Sequence, residues 1–233
     1  SRRGIEAATA LAKTDPATYK PTMEGARLAA QQMAVKAGAI LSPMNVEVLA
    51  RNMAHLGWQD EQIQNFLGQY VKFGADRTLG GMAGQAASAI RKEAYSLGVA
   101  VTDQSILNNA QYLVRGLTTM EKIQAGLREH AASLYPAWGE QIMAGASMQD
   151  LAQPYRQVLA QELQLPEGDV DAFSPKIKAA LNRSGPDGKP APMDLDEFTQ
   201  MIRSGPEWGR TTAAVDKTMG IGRDVLAQMG LVS

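Results

Sequence analysis

The chain of 233 residues contains no cysteine. Disulfides, thiolate metal sites and cysteine nucleophiles are thereby excluded, and cysteine usage says nothing of the redox compartment. Histidine is nearly as scarce, with His55 and His130 the two in the chain. Neither belongs to a HExxH or comparable ligand spacing, so each reads as a half-exposed structural residue. Aromatic residues make up 6% of the sequence. No uninterrupted apolar run approaches the roughly 20 residues of a membrane helix, so no stable membrane span is expected, and the N-terminal stretch lacks the apolar core of a signal peptide. Charge of one sign is missing too: 23 Lys and Arg face 24 Asp and Glu, a net charge of −1. That balance removes the electrostatic basis for phosphate-driven nucleic-acid binding. Only the start, with Arg2, Arg3, Lys13 and Lys20, is locally basic, as in a solvated arm. A chain whose first residue is Ser1 rather than methionine is expected to be a processed or excised piece of a longer polypeptide.

What the chain does have is 45% hydrophobic residues against 20% charged ones. This is ordinary for a globular protein and, at this length, enough to bury a real core. Its most informative pattern is an internal duplication at an offset of 60 residues, Ala34 falling opposite Ala94. Across Ala34–Val71 and Ala94–Ala131, Gly38, Ser42, Ala50, Ile63 and Gln64 fall opposite Gly98, Thr102, Ala110, Ile123 and Gln124; Leu41 and Leu67 fall opposite Val101 and Leu127. The repeated features are a helix-ending glycine, a hydroxyl cap and apolar positions at helical spacing. No catalytic residue type repeats with them.

The periodicity predicts an all-α protein, a multi-helix array with two related three-helix units and a separate C-terminal helical part. Residues 1–20, broken by Asp15-Pro16 and Lys20-Pro21, read as a linker or arm. Helical unit 1 spans 21–74: a seam of Met23, Ala26, Ala30, Met33 and Ala37 stopped by Gly38, a helix opened by Ser42-Pro43, and a third helix from about Gln59 to Phe73. Unit 2 spans 75–136 after a glycine-rich hinge over Gly74–Gly84. Thr102 takes the place of Ser42, and Thr118 with Glu121 reads as a capping box. Connecting helices over 137–165 include one capped by Ser147 and kinked at Pro154. The C-terminal region 166–233 has a Pro/Gly-rich loop over 165–192, expected to lie mostly on the surface, with a short helix opened by Ser174-Pro175 and a tight turn at Pro186-Asp187-Gly188. An Asp194-capped helix and a last helix from Thr211 to Met229 follow. No extended sheet is predicted.

Chemistry-bearing constellations are sparse. There is no GxSxG elbow for a serine nucleophile, and Gly80-Gly81-Met82-Ala83-Gly84 lacks the lysine of a phosphate loop. Neither Gly168-Asp169-Val170-Asp171 nor Asp194-Leu195-Asp196-Glu197 offers the order of ligands that calcium loops require, so no metal or cofactor is assigned. Glycosidase-type chemistry would need two convergent carboxylates, for which Glu129, Glu140, Asp194 and Glu197 are the candidates. Trp58, Trp138 and Trp208 each stand beside a glycine at a helix junction. With Tyr70 they form the candidate interaction surface, since aromatic anchors dominate interface energies.

A further pattern runs along the chain: Leu56-Gly57-Trp58 before a polar helix, Ala132-Ser133-Leu134-Tyr135-Pro136, the glycine after Trp138, and Ile142 with Gly145. It continues through Leu151 to Tyr155, Asp187-Gly188-Lys189, Leu195 to Phe198, and Gly205-Pro206 leading to Met229-Gly230-Leu231. Over roughly residues 20–233 this series resembles a helical region of large virion proteins of tailed bacteriophages, of the tape-measure, tail-tip and internal-virion kind. The resemblance implies a non-enzymatic structural component of the virion, in the tail or capsid interior, that assists assembly and genome ejection. Such regions often belong to a longer polypeptide with a separate cell-wall-degrading domain. The implied partners are copies of the chain itself, other virion proteins, and viral DNA in passing. Two other classes stand beside it: a peptidoglycan-degrading enzyme of the lytic transglycosylase type, and a soluble helical adaptor.

Overall fold

The computed structural model describes residues 13, 16–185, 187–216 and 219–221. The fold is all-α. Helices α1 (Pro16–Ala37), α2 (Pro43–Leu56), α3 (Asp60–Gln69), α4 (Gly81–Ser96), α5 (Asp103–Val114) and α6 (Met120–Leu134) come first. They are followed by α7 (Gly139–Met143), α8 (Met148–Leu163), α9 (Pro175–Leu181) and α10 (Leu195–Arg203). A two-residue antiparallel ribbon, β1 (Arg183–Ser184) with β2 (Pro190–Ala191), is the one sheet among the described residues. The chain divides into two compact units, one of residues 1–95 and 99–127 and the other of residues 96–98 and 128–233. The first unit therefore takes in the helices of both duplicated segments as far as Leu127.

Within the first unit the duplication has a physical counterpart in recurring backbone hydrogen bonds. Ala39 N–H reaches Ala34 C=O at 2.8 Å, and Val99 N–H reaches Ala94 C=O at 2.8 Å. Ser42 Oγ accepts from Asn45 N–H at 3.2 Å, while Thr102 Oγ1 accepts from Ser105 N–H at 3.1 Å, so both hydroxyls cap helices as the sequence predicts. Val46 and Ile106 close the first turns of α2 and α5 onto the carbonyls of Ser42 and Thr102, both at 3.0 Å. Gly38 and Gly98 share a left-handed backbone, φ 84° and 66°. The core is built on the small residues of the seam: Ala30, Ala50, Ala83 and Ala110 are fully buried, with Met23, Leu49, Ile90 and Ile106 filling the space between helices. Alanine seams let helix axes approach closely, which fixes the position of every neighbouring side chain.

Several local expectations shift. The helix α1 starts at Pro16 and passes through Pro21, where an interruption is predicted. Proline at the first helical position loses no bond, whereas at position 21, inside the helix, the backbone gives up one donor. Helix α3 stops at Gln69 rather than Phe73. The physical reason is competition for the backbone: Tyr70 C=O accepts from Ile40 N–H at 2.9 Å, Val71 bridges Ala39, and Val71 C=O accepts from Gln111 Nε2 at 2.9 Å. The cap of α6 is Thr119, not Thr118. Ile123 is buried and its N–H bonds Thr119 C=O at 3.1 Å, so the core position of Ile123 sets the register of the first turn.

In the second unit Ser147 caps α8, accepting from Asp150 N–H at 3.1 Å, and Pro154 lies inside that helix. Asp194 caps α10 through Glu197 N–H at 2.8 Å. Most of the segment 165–192 is exposed, as expected, and Ser174-Pro175 opens the expected short helix, α9, but the segment also contributes to the core. Val170, Ala172, Phe173, Ile177, Ala180 and Leu181 are all buried and form core with Tyr155, Phe198 and Ile202. Proline and glycine set the turns of this segment, but its apolar residues are spaced to point inward, and burial of apolar area outweighs loop composition. Its longer exposed runs stand at the two ends, over 165–169 and at the turn of the ribbon, Asp187–Lys189. Residues 212–216 and 219–221 are helical, in keeping with a last helix after Thr211. The predicted arm residues Arg2 and Arg3 and the predicted helix positions Thr218, Val225 and Met229 lie outside the described residues.

Candidate functional site

A groove of about 780 Å³ lies between α1 and α2, lined by Ala34, Val35, Ala39, Ile40, Pro43 and Val46. It exists because Gly38 turns the chain in the left-handed region, so that residues 39–41 run back across the helix ends before Ser42 starts α2. At its other end Arg27 and Glu47 close the groove. Arg27 Nε donates to Glu47 Oε2 at 2.6 Å and Arg51 Nε to Oε1 at 2.9 Å. The Arg27 hydrogen bond, the largest influence, with Arg51 beside it, holds the Glu47 carboxyl below the usual carboxylate range.

Beside the groove stands an apolar ridge. Leu28 and Val35 lie two turns apart on α1, on the face away from the buried seam, and are 57% and 74% exposed. With Gln31, Gln32 and Lys36 they enclose a second, shallower depression. Ile40, Met44 and Val48 add exposures of 44%, 75% and 40% along the turn and the outer stripe of α2. This concentration of exposed hydrophobic side chains between residues 28 and 48 is the feature of the first unit that core packing does not explain.

Of the four aromatic residues expected to make an interaction surface, Trp58 and Tyr70 belong to the first unit and Trp138 and Trp208 to the second. Trp58 packs edge-on against Phe66 with ring centroids 5.8 Å apart, and Phe66 meets Tyr70 at 4.9 Å; all three pack against the core of the first unit. In the second unit Trp138 donates from Nε1 to Leu181 C=O at 3.3 Å, and Trp208 interacts with Glu162. Each ring is half-buried at a helix junction, where it braces a turn.

The four candidate carboxylates have the following surroundings. Glu129 and Glu140 are exposed, Asp194 is occupied as a cap, and Glu197 is paired with Arg183. Among the described residues no group of three or more His, Asp or Glu is placed to hold a metal ion. Likewise, among them no helix is long and apolar enough to cross a membrane. Compared with family models, curated proteins and solved structures, the chain matches none.

The exposed ridge was missed in reading the sequence, although a signal for it exists. Leu28 and Val35 are seven residues apart and off the seam of Met23, Ala30 and Ala37, so α1 carries two apolar stripes where a surface helix needs one.

Proposed function

We propose that this chain is a non-enzymatic structural protein of a tailed-bacteriophage virion, a tail or internal component that assists assembly and genome ejection by associating with copies of itself and with other virion proteins. The single observation that carries the assembling role is the ridge-and-groove face of α1 and α2, on which large apolar side chains stand 40–75% exposed. A monomeric helical adaptor has no use for so much apolar surface in water, whereas a subunit that is covered on assembly does. The virion setting rests on the ordered series from Leu56-Gly57-Trp58 to Met229-Gly230-Leu231.

The test is direct. Antibody raised against the purified chain should label intact tailed particles, and mass spectrometry of gradient-purified virions should find its peptides in more than trace amount. Incubated with purified peptidoglycan, the chain should release no muropeptides. Absence from particles together with muropeptide release that is lost on Glu129→Gln or Glu140→Gln would replace this reading with the lytic enzyme.

A further inference from the structure

We infer that the α1–α2 face pairs with the same face of a second copy of this chain, in a two-fold symmetric contact that seats the Leu28–Val35 ridge of each copy in the groove of the other. The inference rests on the assembling role proposed above and names the surface and its occupant. Three observations carry it. First, ridge and groove are neighbours on one face and share Gln31 and Val35 in their linings. A two-fold operation therefore fills both grooves at once, which is the requirement for an isologous contact. A groove of about 780 Å³ has room for several side chains such as Leu28, Gln32 and Val35.

Second, the area fits. The exposures of Leu28, Val35, Ile40, Met44 and Val48 leave on the order of 400–500 Å² of side-chain surface in water, within the range of the largest, and often functional, patch on a monomer. A standard interface covers roughly 800 Å² on each partner, of which about 56–65% is apolar, so this patch supplies the apolar share of one such contact.

Third, the charges permit self-pairing. A face of one sign repels its own copy, but here Arg27 and Arg51 converge on Glu47 within one chain, and Glu24 and Lys36 bracket the ridge with opposite signs. Gln31 and Gln32 supply uncharged hydrogen-bonding groups at the centre of the ridge, where like charges would meet across the axis.

The test uses the full chain. Sedimentation velocity over a concentration series should show a reversible dimer or a multiple of it. Val35→Glu should raise the apparent dissociation constant by more than about tenfold, since a carboxylate is carried into an apolar groove. Circular dichroism should stay unchanged, as should the unfolding midpoint at concentrations where the wild type is monomeric, because Val35 is 74% exposed. The absence of cysteine makes a second readout clean: Gln31→Cys should give a covalent dimer with a short bis-maleimide, and Lys92→Cys, exposed on α4, should not. An oligomer that Val35→Glu leaves intact and Gln31→Cys does not link would overturn this contact while leaving the assembling role standing. A wild-type chain that stays monomeric throughout and whose α1 is protected only on adding other virion proteins would overturn it in favour of a different occupant. A chain that is monomeric and also absent from virions would overturn both.

Discussion

Replacing Gly38 with alanine should destabilise the first unit several times more than the same change at Gly57, although both glycines close helices in the left-handed region, with φ 84° and 61°. The backbone term is common to the two. Placing a Cβ in that region costs roughly 1–2 kcal/mol, and the stiffer unfolded chain gives back about 0.4–1 kcal/mol. At Gly57 an added Cβ meets nothing within 4 Å, so the net loss should stay near 1 kcal/mol. At Gly38 it would stand 2.0 Å from Gly80 C=O and 2.8 Å from the carbonyl carbon, where ordinary contact begins at 3.4 Å. Backbone must therefore move by more than 1 Å. The same Gly80 carbonyl accepts from Gly84 N–H at 2.7 Å in the first turn of α4, so the movement also strains that bond. Overpacking of about 1–3 kcal/mol and a weakened hydrogen bond of about 1 kcal/mol bring the total to about 3–5 kcal/mol. Urea unfolding followed by far-ultraviolet circular dichroism measures both variants against wild type, with unchanged slope as the check that the same transition is compared. If Gly38→Ala and Gly57→Ala fall within 1 kcal/mol of each other, the close approach of Gly38 to Gly80 does not limit the fold, and the reasoning fails.

The duplicated caps should behave alike: Ser42→Ala and Thr102→Ala each lose about 1 kcal/mol in the same unfolding assay, and a difference above about 1 kcal/mol between them would break their equivalence. In the second unit Arg203 donates from Nε and Nη2 to Glu162, both at 2.8 Å, and this holds the Glu162 carboxyl below its ordinary value of 4.5. A lowered folded value means stability that is present above pH 4.5 and lost as pH falls through the folded value. The midpoint difference between wild type and Glu162→Gln should thus be present at pH 7 and shrink in acid; a difference that grows on acidification contradicts the sign. Limited subtilisin digestion should cut first in the ribbon turn at Asp187–Lys189, where the Lys189 side chain is 82% exposed, and early cutting inside Pro175–Leu181 would contradict the burial of Ile177 and Leu181.

Much of the fold was legible because its signals are local. Ser42, Thr102, Ser147 and Asp194 are caps by virtue of a side-chain oxygen two or three residues from a free N–H, and Gly38, Gly57 and Gly98 end helices because a Cβ penalises the conformation they adopt. Such interactions operate within four residues and leave their mark at a fixed spacing. The candidate site was less legible. The glycines beside Trp58, Trp138 and Trp208 mark them in sequence as helix-junction residues, and each is half-buried there, but which groups they meet depends on the tertiary structure. The ridge at Leu28 and Val35 went unremarked, because an exposed leucine in a helix looks like any other until the buried face is known.

The sequence by itself determined the all-α class, the caps at Ser42, Thr102, Ser147 and Asp194, the duplicated connections and the absence of thiol chemistry, all of which follow from residue type and spacing along the chain. Tertiary structure alone decided where competition between distant groups was settled. The claim of Ile40, Ala39 and Gln111 on the backbone of residues 70–71 ended α3 early. The demand of the core for Phe173, Ile177 and Leu181 turned a proline- and glycine-marked segment inward. It also separated the two apolar stripes of α1 into one that is covered and one that faces water. Periodicity measures which residues share a helix face, but burial depends on which face another element reaches first, and that is set by contacts many residues apart.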